Sequence, residues 1–142
     1  MTTENQDAFE VVKELLRDPD SYHLVVFIAS ASETESLIHV LSKIGGIVTH
    51  SNFYNVGEEL VAQILSGTRP LRLEKFETPE VLILEDLPYL AYRYATQQEV
   101  FALLKNRIEA KKLTIIFSPI PLSRLRNGFS EEFYQLLTQS SP

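Results

Sequence analysis

Apolar and polar positions alternate along the chain in two kinds of block. Three short runs are almost wholly apolar, "HLVVFIA", "VLILE" and "LTIIFS", and "GIVTHS" is a short mixed run. Runs of this length and composition predict strands, most of them buried on both faces. Between them lie segments with helical spacing. "DAFEVVKELLRD" places Phe9, Val12, Leu15 and Leu16 on one face. "SETESLIHVLSKIGG" predicts a helix capped by Ser32, with Glu35 three residues on and Gly45-Gly46 stopping it. "NFYNVG" reads as a loop and "EELVAQILSG" as a helix closed by Gly67. "TRPLRLEKFETPE" reads as a connector with a short strand at Leu71–Leu73. "TQQEVFALLKNRIEAKK" predicts a long helix capped by Thr96, its stripe formed by Val100, Phe101, Leu104 and Ile108. "SEEFYQLLTQ" predicts a last helix.

Strands alternating with helices imply βαβ units. The expected fold is a three-layer α/β/α sandwich around a mostly parallel sheet of four or five strands, as one domain over residues 1–142. Ligands of such sheets bind at the carboxyl ends of the strands. That edge should hold residues 29–33, 50–55, 85–87 and 118–120.

Composition narrows the chemistry. The chain has no cysteine, so no disulfide and no thiolate zinc site is expected. His23, His39 and His50 lack metal-ligand spacing. Ser30 and Ser32 lack the glycine-flanked setting of a nucleophile elbow. There is no apolar run long enough to span a membrane and no secretory signal pattern at "MTTENQDAFE". A cytoplasmic location is the simplest expectation. Net charge is −6, with three basic and ten acidic side chains in residues 1–68 against ten and nine in residues 69–142. Any nucleic-acid contact is therefore expected in the second half, at Arg107, Lys111, Lys112, Arg124 and Arg126, and is expected to be weak.

Two stretches carry candidate chemistry. The acidic pair Glu85-Asp86 ends an apolar strand, a place where nucleotide hydrolases hold magnesium; alternatively the pair only caps a sheet edge. The first strand-to-helix turn, "IASASETES", contains neither glycine nor lysine. A phosphate loop needs both, the glycines to wrap backbone N–H groups around phosphate and the lysine to neutralise it. Here Ser30, Ser32, Glu33 and Thr34 stand instead. Opposing charges about 4 Å apart in a partly screened site are worth roughly 4 kcal/mol, so carboxylates in place of a lysine are a large change. Just beyond the acids, Tyr89, Tyr92, Arg93 and Tyr94 cluster. Such residues anchor protein interfaces, stack on single-stranded bases, or pack as a lid on the sheet.

The segment "VLILEDLPYLAYRYATQQEVFALLKNRIEAKKLTIIFSPIPL" resembles the Walker B to sensor 1 stretch of the DnaA replication-initiator family, within the AAA+ ATPases of P-loop fold. It is similar also to helicase loaders of the DnaC and IstB type. The likeness covers roughly residues 22–122. It rests on an apolar strand ending in Glu-Asp, then "TQQE" with an aromatic, then "EAKK", then an apolar strand ending in Ser. By resemblance, Glu85 and Asp86 are the Walker B acids, Ser118-Pro119 the sensor 1 turn and Thr34 the position of the phosphate-loop lysine. The family pattern expects a polar sensor residue where this chain has Pro119, which has no N–H. It also expects a fifth strand beside the first, a helical lid and a helix-turn-helix, for which residues 119–142 supply only one clear helix. The resemblance, taken with these departures from the family pattern, implies a non-catalytic, cofactor-free ATPase-like domain that binds a replication initiator, a helicase or a related factor, or copies of itself. A DNA-binding or recombination accessory role and a magnesium-dependent hydrolase remain as alternatives. Without a fifth strand, "HLVVFI" would be a bare apolar edge, and the first helix, the last helix or a second subunit is expected to cover it.

Overall fold

The computed structural model describes residues 1–4 and 7–139. Four strands, β1 (Leu24–Ile28), β2 (Val48–Asn52), β3 (Val81–Glu85) and β4 (Leu113–Ser118), form a wholly parallel sheet in the order β1-β4-β3-β2. Alternation along each strand divides the interior into two layers. Val25, Phe27, Ile83, Ile115 and Phe117 face α1 (Ala8–Arg17) and α2 (Ala31–Leu41). Leu24, Val26, Leu82, Leu84 and Ile116 face α3 (Phe53–Leu65), α5 (Tyr94–Glu109) and α7 (Glu131–Thr138). Two single turns of helix, α4 (Glu74–Glu77) and α6 (Leu122–Leu125), complete the order. The register sets Phe27 beside Phe117, and their rings stack with centroids 5.1 Å apart. The three-layer parallel architecture is the one the hydrophobic pattern predicts. Among the described residues, no helix is long and apolar enough to cross a membrane.

Local boundaries depart from the sequence reading for identifiable reasons. Two Ser-x-x-Glu patterns overlap before α2, and the chain uses Ser30 with Glu33, not Ser32 with Glu35. That start puts Thr34, Leu37 and Leu41 on the buried face. Asn52 caps α3 through its Oδ1, which accepts from Asn55 N–H at 2.7 Å, so "NFYNVG" is helical from Phe53 and not a loop. No strand forms at Leu71–Leu73; Leu73 instead precedes α4. Helix α5 starts at Tyr94, ahead of the expected cap at Thr96. In α1 the buried residues are Val11, Val12 and Leu15, while Phe9 and Leu16 are exposed.

The outer edge of β1 is covered from within the chain. Val26 N–H donates to the Met1 carbonyl at 2.8 Å, and Thr3 N–H donates to the Val26 carbonyl at 2.9 Å. Ile28 N–H donates to Thr3 Oγ1 at 2.9 Å. Residues 1–3 thus lie parallel to β1, where a fifth strand would stand, and satisfy its apolar edge. None of the three expected covers is this one, although the Met1 ammonium also donates to Gln139, just beyond α7, at 2.6 Å.

Arg107 is a second correction. The sequence reading sets it on a solvated basic face; the structure buries it completely. It lies seven residues after Val100, on the same helical stripe. Its Nε donates to Thr114 Oγ1 at 2.7 Å. One terminal nitrogen donates to the carbonyls of Phe76, Glu77 and Pro79, at 3.1, 3.1 and 2.7 Å. The other donates to the Leu113 carbonyl at 2.8 Å. Burial lowers its pKa to about 10, so it remains charged at neutral pH. Replacement by leucine would orphan these carbonyls. Arg107→Leu is expected to cost about 3 kcal/mol or more in denaturant unfolding, while Arg124→Ala, at an exposed position, should stay within about 0.5 kcal/mol.

Candidate functional site

The turn between β1 and α2 lies at the carboxyl edge of the sheet. Ala29 N–H donates across to the Ser118 carbonyl at 3.0 Å, which joins this turn to the end of β4. Ser30 Oγ accepts from Glu33 N–H at 3.3 Å, and Glu33 Oε1 accepts from Ser30 N–H at 3.0 Å. Ser32 Oγ lies 3.3 Å from Ser30 Oγ. Thr34 points inward, its hydroxyl 3.5 Å from the Ala29 carbonyl. The helix N-terminus, where an anion would dock in a phosphate loop, is thus served by the chain's own carboxylate. The Ser30 N–H and hydroxyl hold the Glu33 carboxyl below its ordinary value of 4.5.

The acids at the end of β3 are divided. Glu85 sits opposite Asn52 in register, and its Oε2 lies 2.5 Å from His50 Nε2 on β2. Asp86 is exposed and left-handed, with φ 67°. Its carbonyl accepts from Tyr89 N–H at 3.0 Å. Among the described residues, no three His, Cys, Asp or Glu side chains gather as a metal site. At the end of β4, Ser118 closes its own turn, accepting from Ile120 N–H at 3.1 Å. Pro119 is exposed beside it.

The tyrosine cluster resolves into a built platform. Tyr89 is half-buried against Gly57 of α3 and meets Tyr54 edge to face, centroids 5.6 Å apart. The Arg93 guanidinium lies over the Tyr89 ring at 4.0 Å and donates to the Tyr89 carbonyl at 2.7 Å. Tyr92 is left-handed, φ 64°, and 69% exposed. Its N–H donates to the Gly128 carbonyl at 2.7 Å, and the Tyr94 hydroxyl donates to the Asn127 carbonyl at 3.2 Å. A Cβ on Gly128 would come within 2.8 Å of the Ala91 Cβ, so only glycine permits this approach.

Gln97, buried on α5, fastens the two segments. Its amide donates to the carbonyls of Leu90 and Gly128 at 2.6 and 2.7 Å, and its carbonyl accepts from Ser130 N–H at 3.0 Å. The sequence reading does not single out Gln97, Gly128 or Tyr54, and it sets His50 aside as an ordinary histidine. The glutamine does carry a signal, being a polar residue three before Val100 on the buried stripe.

The basic positions do not come together. Arg107 is buried, and Lys112 Nζ donates to the carbonyls of Glu77 and Thr78 at 3.0 and 3.2 Å. Lys111 is exposed just past the end of α5. Arg124 and Arg126 lie toward the other end, near the Gln97–Gly128 bond. The 16 residues of α5 span about 24 Å between these groups. Arg126 is further engaged by Glu131 at 3.3 Å and stacks over Tyr134 at 5.0 Å.

No family model matches this sequence, and no curated protein matches it. Solved structures do. A replication initiator DnaA bound to AMPPCP and single-stranded DNA superposes with TM-score 0.80 at 23% identity, over 94% of this chain and 44% of that one. AMPPCP-bound DnaA from Aquifex aeolicus gives TM-score 0.76 at 22% identity, over 96% and 44%. Domain III of the Thermotoga maritima replication initiation protein DnaA gives TM-score 0.77 at 16% identity, over 92% and 57%. The chain therefore spans about half the length of the DnaA structures it matches. At these identities the likeness is one of fold: the chain shares the fold of these DnaA structures.

Two outcomes test the geometry of the site. Because the folded pKa of Glu33 is lowered, its charge contributes stability that is present above the unfolded value and lost as pH falls through the folded one. The gap in urea midpoint between the parent and Glu33→Gln should be full at pH 7 and close below about pH 4.5. Gln97→Leu leaves two carbonyls and one N–H unpaired. It should cost about 2–4 kcal/mol and speed amide exchange across residues 126–130.

Proposed function

We propose that the chain is a non-catalytic DnaA-like domain that works in DNA replication, in the cytoplasm, as a protein-binding regulatory or adaptor module. The observation that carries this reading is the turn between β1 and α2. Its helix N-terminus is closed by a Ser30–Glu33 capping box, and it offers neither a glycine-wrapped nest nor a lysine. A triphosphate placed there meets a carboxylate and no cation. Glu85, the better placed of the two acids, is engaged by His50 instead. The partner-binding surface in this proposal is Tyr89, Tyr92, Arg93 and Tyr94. The fold shared with DnaA structures supports the replication setting.

Isothermal titration with ATP and ADP, each with magnesium, tests the reading directly. The expected result is no binding heat up to about millimolar nucleotide, a free energy weaker than about −4 kcal/mol. Micromolar binding, or ATP turnover abolished by Glu85→Gln, would overturn it in favour of a magnesium-dependent hydrolase.

A further inference from the structure

We infer that the tyrosine–arginine platform is a receptor for acidic segments of a partner protein, Arg93 taking a carboxylate and Tyr92 and Tyr54 packing the apolar residue beside it. This rests on the protein-binding reading above and names the class of partner.

The platform has a contiguous centre, in which Tyr54 meets Tyr89 and Tyr89 lies under Arg93, and the residues on either side of Arg93 in the chain, Tyr92 and Tyr94, are exposed beside it. Tyr54 is 49% exposed, and Val61 and Leu65 continue its exposed stripe along α3 at helical spacing. Tyr94 joins the stretch to Asn127, next to Arg126. The surface is also rigid, since Gln97 bonds to both segments from below. Rigid aromatic surface binds at low entropic cost.

The charge of the occupant follows from Arg93. Stacking on Tyr89 fixes the plane of its guanidinium, and one hydrogen bond to the Tyr89 carbonyl fixes its rotation. No carboxylate among the described residues forms an ion pair with it. A planar guanidinium held this way leaves N–H donors suited to a bidentate carboxylate. Nucleic acid would need a run of cations to release counterions along its backbone. The platform offers few. Arg126 is engaged by Glu131, and Lys111 and Lys112 stand at the far end of α5. One guanidinium between exposed aromatics matches a single acidic side chain with an apolar neighbour.

Selection of a displayed random peptide library of about twelve residues against the whole chain tests this. Enrichment of Asp or Glu next to an aromatic or aliphatic residue is expected. Binding of the enriched peptides should weaken about tenfold or more with Arg93→Ala and with Asp→Asn or Glu→Gln in the peptide. It should be unchanged by Lys111→Ala. The charge reversal Arg93→Glu, at an exposed position, should turn the selection toward basic peptides. Enrichment of neutral or basic peptides by the parent, lost with Tyr92→Ala, would overturn the acidic class and leave the protein-binding reading standing. Binding of oligo(dT) that falls with Arg93→Ala would overturn both. The same holds for no enrichment above a Tyr92→Ala, Arg93→Ala double variant.

Discussion

Backbone groups that leave regular structure inside a protein must still be paired, and in this chain that requirement is met from one helix. The buried stripe of α5 is apolar in its middle and polar at both ends. At one end Gln97 takes up the backbone of Leu90, Gly128 and Ser130. At the other, Arg107 takes up the backbone of residues 76–80 and the start of β4. Each side chain lies where the chain enters or leaves the sheet by an irregular path. An unpaired amide or carbonyl there would cost on the order of 1–3 kcal/mol, and each residue satisfies several. The sheet can then carry long connections at both ends without opening its core to water. The aromatic platform is one product of this arrangement, because the glutamine that closes the backbone also positions Tyr92 and Tyr94.

The same accounting applies to this chain's first turn. A helix N-terminus presents unpaired N–H groups and a partial positive charge. A phosphate loop keeps them open by wrapping glycine-rich backbone around the ligand. Here the cap is local, Ser30 and Glu33 satisfying each other. The helix is stabilised without a ligand, and the site where an anion would gain most is already occupied by negative charge.

Much of the architecture was legible because it depends on pattern alone. Apolar runs separated by helical spacing specify a parallel sheet with covered faces, and β3 and β4 lie where "VLILE" and "LTIIFS" place them. The acids, the altered turn and the tyrosines could also be read, since each is a property of neighbouring residues. What escaped depends on partners distant in sequence. The Glu85–His50 pair exists through parallel register. The burial of Arg107 was written in its spacing from Val100, but "RIEAKK" looks solvated until six acceptors are supplied by other segments. The cover on β1 comes from Met1, Thr2 and Thr3, too short a stretch to read as a strand, whose backbone, not side chains, makes most of the bonds. Competing caps, such as Ser30 against Ser32, differ by little locally and are decided by which start buries Leu37 and Leu41.

Fold and site are therefore supported by different parts of the molecule. The fold rests on the sheet and on the apolar faces of its helices, where burial fixes residue type within narrow limits. The candidate site lies in turns at one edge of the sheet. At the platform, Gly128 and Gln97 hold Tyr92 in a left-handed conformation that unsupported tyrosine rarely adopts. Backbone strain of this kind persists only when its surroundings enforce it, and Asp86 at the end of β3 shares it with φ 67°, so the acidic pair and the platform form one constrained surface at this edge of the sheet.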